Sequence, residues 1–221
     1  MAELDGPRWG PASKGRIKEI VFLLHGVGAD GNDLIDLAPR WSQAVPDALF
    51  ISPHAPTPYQ GASFGRQWFD LSDRSPARLE AGVRAVAPVL DATIARECAA
   101  AGIPETHAML MGFSQGAMTA LFCGLRRATP PAAILAYSGL LLGPESLGVE
   151  LRGRPPVLLV HGEADEVVPV AGSRAAERQL RDAGVPVEAV YSPRLGHGID
   201  DAGLSAGAIS LQRAAAGLPG I

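Results

Sequence analysis

Short apolar runs recur along the chain at 20–24, 49–52, 108–111, 132–137, 157–161 and 187–191, and patterns of helical period lie between most of them. Runs of four to six apolar residues bounded by turn-forming residues are what strands buried on both faces look like. Helical character is clearest after Ser75-Pro76, a cap followed by a first-turn proline. There Leu79, Val83, Val86, Leu90, Ile94 and Cys98 fall on one face until Gly102 and Pro104 end the element, with a kink expected at Pro88. A shorter helix is expected after Asn32 as N-cap, with Leu34, Leu37, Ala38 and Trp41 as its apolar face. Strands alternating with helices predict an α/β fold. The central sheet should be mostly parallel and covered on both faces, with any ligand at the carboxyl ends of the strands.

Two segments resist this reading. Nothing periodic decides residues 1–18, where an edge strand near Leu4 or Trp9 is an option. Residues 53–74 have no clear period, yet they hold Tyr59, Phe64, Trp68 and Phe69, four of the chain's twelve aromatic side chains. A flexible linker is poor in aromatics, so an ordered loop over the functional site is expected.

The chain's 221 residues suit one domain spanning 1–221, and 47% hydrophobic with 19% charged residues excludes disorder. No apolar run approaches the ~20 residues needed to span a bilayer, and MAELDGPRWG is not a secretory signal, so a cytoplasmic protein is expected. A net charge of −4 without a Lys/Arg cluster argues against nucleic acid or an anionic membrane as partner. Cys98 and Cys123 lack metal-ligand spacing and read as reduced, buried thiols. No metal or cofactor is called for.

Candidate chemistry concentrates at 108–118, AMLMGFSQGAM. An apolar strand breaks at Gly112-Phe113-Ser114-Gln115-Gly116 and runs into a helix-forming segment, the pattern of a sharp turn that presents a serine hydroxyl above a sheet. Ser114 is the candidate nucleophile, and a serine needs a base oriented by a third group. Of the five histidines, His54 and His107 precede the turn at loop or strand-start positions. His25 and His161 end strands and suit structural hydrogen bonding. His197, flanked by glycines after the last apolar run, is free to reach inward and is the candidate base. Asp165, a few residues past the 157–161 strand, is the candidate carboxylate. Glu163 and Glu166 compete, but the shorter side chain and the apolar Val167-Val168-Pro169 beside it favour the aspartate.

Ser114, Asp165 and His197 stand in the chain order used on the α/β-hydrolase sheet. Together with them, LLHGVGADGNDL, RQWFD, GFSQGAM, LLVHGEADEVVP and LGHG resemble the phospholipase/carboxylesterase family, which includes bacterial carboxylesterases and acyl-protein thioesterases. That resemblance implies the same triad and an oxyanion hole formed by the backbone amides of Val27 and Gln115. It implies a cofactor-free serine hydrolase acting on small-molecule acyl esters or thioesters through an acyl-enzyme. Lysophospholipase or acyl-protein thioesterase activity is the alternative, and a silent binding module a third reading. Between 137 and 157 there is too little chain for a large lid, so an open site is expected. Phe64, Trp68 and Leu140 are candidates to line an acyl groove. Oligomeric state is left open, a homodimer included.

Overall fold

The computed structural model describes residues 4–217. Seven strands form the main sheet in the order β1 (Arg8–Trp9), β3 (Ala48–Ile51), β2 (Glu19–Leu24), β6 (Ala108–Phe113), β7 (Ala133–Tyr137), β8 (Val157–Gly162) and β9 (Val187–Ser192). Every pairing is parallel except that of β1 with β3. The mostly parallel α/β sheet expected from the alternation of runs is therefore present, with helices on both faces, as the resemblance to α/β-hydrolases implied, and with no large lid among the described residues.

Parallel strands need crossovers, and these supply the covering layers. One face carries α3 (Pro76–Ala101), α4 (Gln115–Arg126) and α6 (Val170–Asp182). Its core joins Phe22, Leu110 and Leu159 of the sheet to Leu90, Ile94 and Leu121 of the helices. The other face is covered by α1 (Gly31–Leu34), α2 (Leu37–Trp41) and α7 (Asp201–Ala215), which bring Trp41 and Leu211 onto Val21, Met109 and Leu158. Full burial of one such aliphatic side chain stabilises by about 1.5–3 kcal/mol. All six residues of the predicted α3 stripe are buried. The helix runs on through Pro88 and ends at Gly102, whose φ of 68° a glycine adopts without Cβ strain.

Three local expectations change. The helix after Asn32 is two short pieces, α1 and α2, and its cap is Asp30, whose side chain accepts from the Asn32 amide at 2.8 Å. The undecided N-terminal segment holds the antiparallel edge strand β1, while Leu4 is a buried core residue. Within 53–74, β4 (Thr57–Pro58) and β5 (Arg66–Gln67) form a small hairpin. Between β7 and β8 the only helix is α5 (Pro144–Glu150).

Candidate active site

At the carboxyl end of β6 the chain turns into α4 through a single residue, Ser114, held at φ 54° and ψ −118°. For a non-glycine residue that left-handed backbone costs about 1–3 kcal/mol and persists only where its surroundings enforce it. Two close approaches do so. A Cβ on Gly116 would lie 1.9 Å from the Leu24 carbonyl oxygen, and one on Gly112 would lie 2.2 Å from that of Gly116. Strand β2, strand β6 and the first turn of α4 can meet only with glycine at both places. The Ser114 amide donates to Tyr137 O at 2.8 Å, and its carbonyl accepts from the amides of Ala117 and Met118, so the elbow is tied to β7 and to α4.

Beyond β8 and β9, two loops meet behind this serine. A Cβ on Gly162 would lie 2.2 Å from Leu195 O, and the Ala164 amide donates to that same carbonyl at 2.9 Å. The contact carries Asp165 to His197, whose Nδ1 lies 2.7 Å from Asp165 Oδ2. Asp165 Oδ1 accepts from the amides of Val167 at 2.9 Å and Val168 at 2.8 Å. Burial opposes ionisation of this carboxyl, but the hydrogen bonds from His197 and the Val168 amide outweigh it and hold its pKa below the usual carboxylate value. An ionised Asp165 accepts a hydrogen bond from His197 Nδ1–H, which leaves the Nε2 lone pair free. The imidazole packs against Phe113, the residue before the nucleophile candidate, with ring centroids 4.8 Å apart. Among the described residues neither Ser114 Oγ nor His197 Nε2 makes a hydrogen bond. Bonds between such reacting groups often close only in the substrate complex.

The competing carboxylates face elsewhere. Glu163 is exposed and paired with Arg174, and Glu166 is exposed. Val27 and Gln115 both line the cleft at Ser114, with Gln115 opening α4, so its amide lies at a helix N-terminus that favours negative charge. The cleft has a volume of about 260 Å³, and Leu71, Leu79, Met118, Leu140 and Val168 give it apolar walls. Leu140 is thus where a groove residue was expected. Phe64 and Trp68 are not among the cleft's lining residues: Phe64 is 75% exposed, and Trp68 is buried at 2% exposure.

A family model described as phospholipase/carboxylesterase matches residues 11–213. The chain belongs to this family. Among solved structures, esterase PE8 is 43% identical and superposes with a TM-score of 0.91 over 96% of this chain and 99% of its own. Esterase YpfH of Escherichia coli is 28% identical, covering 83% of this chain and 78% of the relative. Acyl-protein thioesterase 1 of Neurospora crassa is 30% identical, covering 80% and 79%.

In this member of the phospholipase/carboxylesterase family the aromatic loop acts from beneath the site. The Trp68 indole N–H donates to His25 O at 2.9 Å, fixing the start of the glycine loop that carries Val27. His25 Nε2 accepts from the Ala55 amide at 3.0 Å, so its proton sits on Nδ1, which donates to Gly26 O at 2.7 Å. Burial lowers the pKa of His25 and keeps it neutral in that role. Gln115 was foreseen only as a backbone donor, yet its side chain clamps the same loop. Its Oε1 accepts from the Trp68 amide at 2.8 Å and its Nε2 donates to Phe69 O at 2.7 Å. A glutamine directly after the nucleophile, with an aromatic pair in a long loop, was the available signal. Nothing in the spacing said that the two would meet.

Proposed function

We propose that the chain, acting as one domain over 1–221, is a serine hydrolase that cleaves carboxylic esters of short to medium acyl chains. The observation that carries this reading is the Asp165–His197 hydrogen bond of 2.7 Å, with the imidazole packed on Phe113, the residue before a serine held at φ 54°. Ser114 Oγ attacks the acyl carbonyl carbon while His197 Nε2 takes its proton, and Asp165 orients the imidazole through Nδ1–H and stabilises the imidazolium. Negative charge gathers on the former carbonyl oxygen, where the amides of Val27 and Gln115 donate to it. Collapse returns the proton from His197 to the leaving oxygen or sulfur and leaves an acyl-Ser114 ester. Water, deprotonated by His197, then attacks that ester and releases the acid. Every step is carried by side chains and amides of this chain, so the proposal needs no cofactor.

Thioester cleavage is the second reading, favoured by the acyl-protein thioesterase from Neurospora crassa among the relatives. A small-molecule acyl substrate and a cytoplasmic location complete the proposal. Among the described residues no helix is long and apolar enough to cross a membrane. The test is a matched series of oxygen esters and thioesters with two to twelve acyl carbons. Turnover of either series by the native chain, lost in Ser114→Ala, is the expected result. Equal background rates for both proteins would overturn the proposal.

A further inference from the structure

His161 is completely buried at the carboxyl end of β8, four residues before Asp165, and the chemistry described so far leaves it without a role. Its Nε2 lies 2.8 Å from Val168 O and 3.2 Å from Asp165 Oδ2. A backbone carbonyl and an ionised carboxylate only accept, so the imidazole must carry its proton on Nε2. We propose that His161 is a positioning residue for the active-site carboxylate: its neutral Nε2–H is shared between Val168 O and Asp165 Oδ2, and it sets how strongly Asp165 holds His197. This inference rests on the assignment of Asp165 and His197 made above.

The geometry gives the carboxylate a filled donor shell. Oδ1 takes the amides of Val167 and Val168, Oδ2 takes His197 Nδ1–H at 2.7 Å, and His161 Nε2 lies 3.2 Å from the same oxygen, close enough for its N–H to be shared with Val168 O. Val168 is held twice, donating its amide to Oδ1 and accepting at its carbonyl from the imidazole, so the turn 165–168 closes around the histidine. A neutral donor disperses the negative charge on Oδ2 without adding a positive one. Asp165 then pulls less strongly on positive charge at His197 than a bare carboxylate would.

The surroundings keep His161 neutral. Burial lowers its pKa, against the opposing pull of the Val168 carbonyl and Asp165. The titratable and charged groups on the β9 side are already paired. In register on β9 stands Tyr191, whose hydroxyl donates to Glu177 and whose ring lies under Arg174, itself paired with Glu163. On the other side, Ser138 follows Tyr137, the register partner of Val160, and its amide donates to Val160 O at 2.8 Å. Its buried hydroxyl and His161 Nδ1 have no partner among the described residues. With the proton on Nε2, Nδ1 is a lone pair, the complement of a hydroxyl donor on the neighbouring strand.

The first test reads the tautomer directly, from ¹⁵N chemical shifts and long-range ¹H–¹⁵N couplings of the intact chain at pH 7. A neutral ring protonated on Nε2 is expected. An Nδ1–H tautomer, or an imidazolium, overturns the proposal. The second test is the pH profile of ester turnover. His161→Phe keeps an aromatic ring and loses the donor that ties the 165–168 turn through Val168 O, so Asp165 is less well placed on His197 and kcat should fall about tenfold. The acid limb of kcat/KM should move upward by about half a pH unit or more. His161→Gln, whose carboxamide can still donate, should restore both. A folded His161→Phe with reduced kcat and an unmoved limb would show a packing role only. Should His161→Phe fail to fold, the tautomer of the native chain decides alone. Because that tautomer is read without turnover, an inert Ser114 would be recognised separately, by absence of fluorophosphonate labelling.

Discussion

Trp68 and Leu140 make opposite predictions for the same experiment, and the structure says which should change substrate preference. Trp68 is 2% exposed, and its indole N–H is the donor to His25 O at 2.9 Å. Trp68→Phe removes that donor and strands a buried carbonyl, a cost of about 1–3 kcal/mol. Trp68→Ala adds a cavity and should cost about 3–5 kcal/mol, a large part of the roughly 5–15 kcal/mol by which a domain is stable. Neither change touches the acyl chain. Urea unfolding should therefore register both losses, while kcat/KM falls by a similar factor for every p-nitrophenyl ester as the loop carrying Val27 loosens. Leu140 lines the cleft itself. Each methylene buried there is worth about 0.8 kcal/mol, close to fourfold in kcat/KM, so Leu140→Ala should flatten the rise of log kcat/KM with chain length. A changed slope in Trp68→Phe with an unchanged slope in Leu140→Ala would refute the placement of both residues.

Asp165→Asn should keep the shape of the turn and lower kcat by ~10³ to 10⁴, measured on any turned-over ester, because the carboxylate no longer fixes the His197 tautomer. Glu163→Gln and Glu166→Gln should each cost far less, and a larger loss at either would reassign the third member. Iodoacetamide should leave the native chain active, since Cys98 and Cys123 are both buried, and burial pushes the Cys98 thiol pKa up to about 11. Glu150 is held down to about 2, chiefly by its hydrogen bonds to Arg84 and Arg126. A carboxyl with a depressed folded-state pKa contributes stability above its unfolded value of 4.5 and loses it as pH falls toward the folded value. The Tm difference between native chain and Glu150→Gln should accordingly be present at pH 7 and shrink between pH 4.5 and 2. A difference independent of pH would show that the ion pairs of Glu150 do not contribute to stability.

How far the sequence could be read depended on how many residues shared one cause. The α3 stripe was legible because six positions answer to one periodicity and to one buried face. The elbow was legible because two glycines at fixed offsets serve one steric need, visible as approaches of 1.9 and 2.2 Å. Strands of two residues, such as β1 and β4, are too short to show a period. The cap of α1 went to Asp30 because its side chain reached the Asn32 amide, a choice between neighbouring residues of nearly equal capping strength. Trp68 could line a groove or anchor a loop from composition alone, and only the position of His25 O decided it. His161 was read as a structural hydrogen bonder. Its approach to Asp165 depends on a turn closing through backbone amides, which no spacing announces.

Mass spectrometry can show directly whether Ser114 is the nucleophile of an acyl-enzyme. The native chain would be treated with a fluorophosphonate, its intact mass recorded, and the modified peptide sequenced, with Ser114→Ala alongside. One adduct per chain is expected, on Ser114, with loss of ester turnover in proportion to labelling and no adduct on Ser114→Ala. Labelling of a different residue, or full ester turnover by a correctly folded Ser114→Ala, would contradict it.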